Sequence, residues 1–413
     1  MLFSLVVVCS IGLFCQVCAA GSVEELHRDV LHHVSALSSF SPTSAAMNGP
    51  CTRADHTLRQ AANALTETSD VSSPLWDLDI ARARLHALVE RGCRGRNGTY
   101  AALLYREYQV EESLLVDYTN ALRLLSLDSS VKAALGSSAS SSSSSFFEFY
   151  DTFLIPKIQY EGFFRRMVQD VLALYSGHFS ELVLGPRLHI RVVDDLKTTA
   201  EAWYNPKYTV IVVNIARPIT QEKLQQLVAH EVMHYVQDVV HNRNQKYYDT
   251  SSALFSEGSA EYAVDLVFPE STRAMQLHAF YDTTSLADAQ HLVAVSAARS
   301  AASWAHVVRI AGELHEGTMD DDDAKEQMES KAMLRHDSWP NVGFMKVQGS
   351  AYVATYALGK EIIQRFIDAV RRCDDSSSAW VVFVAFTRFT PTPWAAQHRL
   401  NDCVWLANWK ALQ

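Results

Sequence analysis

The stretch Leu227–Glu261 constrains this chain more than any other. It runs L-V-A-H-E-V-M-H-Y-V-Q and, after a gap, F-S-E-G-S-A-E. His230, Glu231 and His234 form an H-E-x-x-H pattern, and residues four apart share one face of a helix, so both imidazoles can hold one metal ion. Glu231 stands beside the first imidazole, within reach of a metal-bound water, where a carboxylate acts as a general base. Leu224, Leu227, Val228, Val232, Tyr235, Val236 and Val239 recur at helical spacing through the motif, which predicts a half-buried helix. Pro218 and Thr220 start it, and Glu222 suits its first turn.

A catalytic zinc takes three protein ligands and leaves one position for water. Glu257, twenty-three residues past His234, is placed to be the third. Glu257, Glu261 and Asp265 fall on one face of a second helix. That spacing alone also fits a solvated acidic face. Gly258 argues for close packing, because glycine inside a helix costs roughly 1 kcal/mol against alanine. Glu261 or Asp265 is then available to hold the ring N–H of a histidine ligand.

The arrangement resembles the gluzincin metallopeptidases, and within them the proteins called domain of unknown function 885, over roughly Ala202 to Arg365. W-Y-N-P-K-Y-T-V-I-V-V-N (Trp203–Asn214) resembles that family's tyrosine-proline turn and strand. Gln237 follows His234 at the family's spacing, and E-G-S-A-E-Y resembles its E-G-W-A-x-Y through Glu257, Gly258, Ala260 and Tyr262. Leu314-His315, with Ala324 and Met328, resembles its G-L-H segment, and Tyr356-x-x-Gly359 also matches. Ser259 stands where the family has tryptophan, Val264 where a second acid is common, and Ala311 where an aspartate is common. The usual Pro-Gly between the glutamate and the second histidine is absent. The resemblance implies one zinc ion on His230, His234 and Glu257, Glu231 as base, and His315 and Tyr356 assisting catalysis without binding zinc. It also implies a mainly α, zincin-like fold with a small β-sheet beside the metal helix.

The rest of the chain supplies context. Met1–Ala20 is apolar and uncharged and reads as a secretory signal, with an uncleaved anchor as the alternative. No later apolar stretch is long enough to span a bilayer, so no stable membrane insertion of the mature chain is expected. Three of the seven cysteines lie in this leader. The other four, Cys51, Cys93, Cys373 and Cys403, favour two disulfides, paired Cys51–Cys93 and Cys373–Cys403 within their own regions. Asn97 heads the glycosylation sequon Asn97-Gly98-Thr99. These features point to a secreted protein or one in the secretory lumen.

Residues 21–135 read as an N-terminal helical region: Val23–Leu37, Leu58–Leu65, Leu75–Val89 and Tyr100–Leu125. The serine-rich run 136–145 reads as a flexible loop. It either separates that region from a catalytic region, 146–413, or interrupts a single domain. Phe146–Tyr175, Leu277–Leu314 and Tyr352–Val370 read as helices, and Leu188–Val193 and Tyr208–Val213 as strands. Tyr208–Asn214 is either a cleft edge that pairs with an extended peptide or an ordinary strand. Asp320–Asp323 reads as a helix cap and first turn, because it lacks the spacing of a calcium loop.

A net charge of −10 argues against nucleic acid as a partner. The expected function is zinc-dependent hydrolysis of peptide substrates. The competing readings are an inactive secreted binding protein and a zinc hydrolase of a non-peptide amide or ester.

Overall fold

The computed structural model describes residues 99–124 and 143–411, apart from 199, 245–251, 282–283, 336–339, 346–349 and 392, with short pieces between residues 25 and 61. The leader Met1–Ala20, Cys51, Cys93, Asn97, the stretch Leu75–Val89 and residues 136–142 lie outside the described residues.

The fold is mainly α with one small sheet, as expected. α1 (Tyr100–Tyr108) and α2 (Glu112–Leu124) divide the stretch expected as one helix. Gln109 takes a left-handed φ of 57° between them, a conformation through which no helix continues. α3 (Ser143–Asp151) begins inside the serine run, so the last three residues read as loop are helical. α4 (Lys157–Ser176) follows Pro156, which divides Phe146–Tyr175 into two helices.

β1 (His189–Val193), β2 (Ala202–Asn205) and β3 (Val210–Asn214) form a sheet in the order β1-β3-β2. β1 runs parallel to β3 with His189 opposite Val210, and β2 runs antiparallel with Ala202 opposite Val213. Of the two readings of Tyr208–Asn214, the ordinary strand holds: β3 is the middle strand, and the edges are β1 and β2, the latter in a stretch the sequence reading took for a turn. Pro206–Tyr208 makes one 3-10 turn and Thr209 takes a left-handed φ of 49°, so the chain reverses and β3 pairs back on β2.

α5 (Gln221–Asn244) carries the H-E-x-x-H motif, and its first turn is capped by Thr220, whose Oγ1 accepts the Lys223 N–H at 3.2 Å. Expected as half-buried, it is buried on nearly every side. The reason is its neighbours, which include α4, β2 and α6 (Ser252–Val267). Val228, Val232, Val236 and Val240 are all fully buried, each contributing about 1.5–3 kcal/mol of hydrophobic stabilisation. The motif thus sits on a helix anchored in the core.

α7 (Glu270–Phe280) and α8 (Leu286–Glu316) replace the single helix expected over Leu277–Leu314. Ser285 caps α8 by accepting the Asp288 N–H, and Gly317, with φ 70°, ends it. α9 (Asp321–Ser330) is capped by the Asp320 carboxylate, which accepts the Asp322 and Asp323 N–H groups at 2.9 Å, in line with the expected cap. α10 (Ser350–Cys373), α11 (Ala379–Arg388), α12 (Pro393–His398) and α13 (Cys403–Lys410) complete the described chain. A Cys373–Cys403 disulfide ties the end of α10 to the start of α13. α1 and α2 share one core with α8 and α10, and the Tyr100 hydroxyl donates to the Ser350 carbonyl at 2.8 Å.

Among the described residues, α6 and α10 make the most extensive helix contact. They cross where Gly258 meets Gly359. A Cβ on Gly258 would lie 2.4 Å from the Gly359 carbonyl carbon, and one on Gly359 would lie 2.1 Å from the Leu254 carbonyl oxygen. Both obstacles are backbone, so no side-chain rotation relieves them.

Gly359→Ala is therefore expected to cost at least the 1–3 kcal/mol typical of overpacking. Denaturant unfolding measures it, and unchanged stability would mean the helices can part freely. Replacing Cys373 and Cys403 with serine should cost about 3–4 kcal/mol, the chain-entropy value for a separation of 30 residues. The same unfolding curve reads it out.

Candidate active site

Helix periodicity puts His230 and His234 on one face of α5, and the glycine crossing lets α6 bring Glu257 to them. Glu257 Oε2 lies 3.2 Å from His230 Nε2 and 3.3 Å from His234 Nε2, and the two Nε2 atoms are 3.0 Å apart. All three side chains are mostly buried. Their ligand atoms lie within 4.8 Å of one another, the only such histidine, cysteine or acid group among the described residues. Glu257 Oε2 is buried with no hydrogen bond, because neither ring is aligned to donate to it. An orphaned carboxylate oxygen facing two imidazole nitrogens is a donor set that fits a divalent cation.

The outward-facing atoms of the cluster each face a polar group, although His230 Nδ1 forms no aligned hydrogen bond. Glu261 Oε1 lies 3.1 Å from His230 Nδ1. His234 Nδ1 lies 3.1 Å from Gln237 Oε1 and 3.3 Å from Ser256 Oγ, and Gln237 is itself held by the Ser256 carbonyl at 3.0 Å. Glu257 Oε1 accepts the Tyr352 hydroxyl at 2.6 Å. Of the two acids proposed to steady a histidine, Glu261 is at the ring. Asp265 instead pairs with Lys360 at 2.7 Å and Arg273 at 3.4 Å, because it lies one turn further along α6.

Glu231 stands beside the cluster, not in it. Its Oε2 accepts the Tyr204 N–H from β2 at 2.7 Å, and the Tyr204 hydroxyl donates to Asp238 at 2.8 Å. Burial raises the Glu231 carboxyl above the usual range, opposed by His230 and His234. Burial works against a charged His230, yet Glu257 and Glu261 outweigh it and push the imidazole up to about 10. Glu257 is held well below its usual range, against burial, by both histidines. The cluster therefore favours positive charge at its centre, as a cation-binding site must.

Tyr356 stacks on His230 (centroids 5.6 Å apart, 3° between planes) and on Trp304 (5.3 Å, 7°). Burial, then the Glu257 charge, raises its phenol well above 10, so it stays protonated. His315 is corrected: it is exposed, with its ring 6.1 Å from Tyr100, and does not line the cleft. It lies on α8 eleven residues beyond Trp304, about 16 Å along the axis. Sequence reasoning did not assign Ser256, Trp304 or Arg299. Tyr352, one turn from Tyr356, donates its hydroxyl to Glu257.

A cleft of about 460 Å³ opens over the cluster, lined by β2 and by faces of α5, α6, α8 and α10. Its volume suits a small-molecule or short peptide segment.

A family model for a predicted Zn-dependent protease (DUF2268) matches residues 199–307, which carry β2, β3, α5, α6, α7 and much of α8. No curated protein matches the chain. Among solved structures, the "putative lipoprotein" from Colwellia psychrerythraea is 12% identical with a TM-score of 0.51, covering 91% of this chain and 69% of that one. A "putative lipoprotein of unknown function" from Shewanella oneidensis is 10% identical with a TM-score of 0.48, covering 88% and 73%. At that identity the first likeness is one of fold.

Glu261→Gln is expected to weaken divalent-metal affinity by about 10–100-fold, as loss of a ligand's outer partner does. Asp265→Asn should leave it unchanged. Competition against a chelator measures both, and an equal loss in Asp265→Asn would refute the placement.

Proposed function

We propose that this chain is a zinc-dependent metallopeptidase. The observation that carries the reading is the convergence of His230 Nε2, His234 Nε2 and Glu257 Oε2 with Glu231 beside them and outside the set. Two imidazoles and a carboxylate are a known catalytic ligand set for zinc. One zinc ion held there supplies Lewis acidity, polarising a peptide carbonyl and making water more acidic.

The remaining work falls to the chain's own groups. Glu231 takes the proton of the attacking water and returns it to the leaving amine. The Tyr204 N–H fixes one of its carboxylate oxygens and so its orientation. Tyr356, protonated and stacked on His230, donates to the developing oxyanion. Tyr352 positions Glu257. β2 is the sheet edge along the cleft; its Tyr204 N–H is taken by Glu231, and its remaining outward backbone groups pair with an extended peptide.

The resemblance to domain of unknown function 885 supports the gluzincin reading beyond the matched residues, at Tyr356 and Gly359. The Cys373–Cys403 disulfide supports an oxidising compartment, and the chain is secreted or resides in the secretory lumen. Among the described residues no helix is long and apolar enough to cross a membrane.

The test is Glu231→Gln, which keeps size but cannot accept the proton. Zinc content and melting temperature should match wild type, while peptide hydrolysis falls at least about 100-fold. Full turnover with normal zinc would sink the assignment.

A further inference from the structure

The cleft carries a cation that nothing in the hydrolytic site uses. Arg299 projects from α8 into it, five residues before Trp304 and so about 7.5 Å along the helix from the stack on His230. Ser296, Ser300 and Ser303 line the same face. Arg299 has no carboxylate partner among the described residues. Its guanidinium lies 5.6 Å and 5.4 Å from the ring centres of Phe146 and Tyr150, and its Nε is buried with no acceptor. The other cleft arginine differs: Arg273 has Glu222 at 3.6 Å and Asp265 at 3.4 Å.

The surroundings define which end of the cleft this is. The Tyr150 hydroxyl meets Ser296 Oγ at 3.0 Å and Glu222 Oε2 at 3.4 Å, placing Arg299 beside the first turn of α5. Lys223 lies in that turn, half-buried in the same cleft, and its field reaches Glu261 without an ion pair among the described residues. Glu222, a buried acid that shares the neighbourhood of Tyr150 with Arg299, is engaged by Tyr150, Gln226 and Arg273. The opposite end of α5's cleft face carries Asp238, bonded to Tyr204. Arg299 and Lys223 thus lie toward the start of α5, and Asp238 lies toward its end. A guanidinium in a partly desolvated cleft that forms no ion pair with a described carboxylate can receive a carboxylate in bidentate fashion.

We propose that Arg299, aided by Lys223, binds a carboxylate of the substrate, so that the cleft selects peptides bearing an anionic group at that end. The proposal rests on the peptidase reading and names its substrate class. The carboxylate comes either from a chain terminus or from an acidic side chain.

Binding distinguishes these without requiring turnover. The probes are random neutral hexapeptide libraries in matched pairs: C-terminal acid against amide, and one internal glutamate against glutamine. Titrated into zinc-loaded Glu231→Gln protein at fixed salt, the anionic member of at least one pair should bind about 10–100-fold tighter, the range of a charge-assisted hydrogen-bonded pair. Preference in the first pair identifies the terminus, and in the second a side chain. Adding Arg299→Gln should bring that ratio to about one, and Arg299→Lys, which keeps charge but not the fork, should lose part of it. The idea is overturned by equal binding within both pairs, by no peptide binding, or by a preference that survives Arg299→Gln. If Arg299→Gln does not fold, an undiminished preference in Arg299→Lys overturns it equally. Absence of hydrolysis by wild type would undo the peptidase reading while leaving this result intact.

Discussion

Two helices that touch backbone to backbone set the geometry on which the candidate site depends. Ordinary helix pairs are held 8–10 Å apart by the side chains between them. α6 and α10 have none at their crossing, since Gly258 and Gly359 face each other. Glu257 is the neighbour of one glycine, and Tyr356 lies one turn before the other. The crossing therefore places the carboxylate at both Nε2 atoms and the phenol ring flat against His230. A methyl group there would push apart the two elements that the cluster joins. This also accounts for a glycine in each helix interior, where local propensity disfavours it.

Burying histidines and carboxylates together is costly unless each charge has a partner. Here the partners come from different elements: Tyr204 from β2 for Glu231, Tyr352 from α10 for Glu257, Gln237 from α5 for His234, and Glu261 from α6 for His230. What these contacts leave unmatched is a single point faced by two nitrogens and one oxygen.

The parts of this arrangement readable in the sequence are those governed by helix period. His230 and His234 share a face at any spacing of four, and Glu257 followed from distance and from Gly258. The hydrophobic recurrence through Leu224–Val239 correctly announced a helix, but not that it is covered on nearly all sides, because covering depends on partners remote in sequence. β2 was missed for a related reason: four residues before a proline carry little strand signal, and their pairing is created by the turn at Thr209. The order β1-β3-β2 is likewise a long-range fact. His315 shows where motif matching fails. It shares α8 with Trp304 and nearly its face, yet three turns of rise carry it past the cleft to α1. Arg299 left no local trace, since one arginine on a helix is ordinary until its surroundings show no ion pair for it among the described residues.

The site is assembled from α5, α6, α10 and β2, and no two of these alone would complete it. His230 and His234 on an isolated helix offer two ligands; the third requires α6, whose approach requires the glycine of α10. A cation bound by all three therefore binds the folded chain and hardly the unfolded one, so its binding free energy adds to stability. At a free concentration a thousandfold above Kd that linkage is worth about 4 kcal/mol. The division of labour matters for the same reason. His230, His234 and Glu257 come from two helices packed into the core, while Glu231 is oriented by an edge strand. Contacts that hold the cation are then also contacts that hold the fold, whereas the position of Glu231 can be tuned through β2 without loosening either.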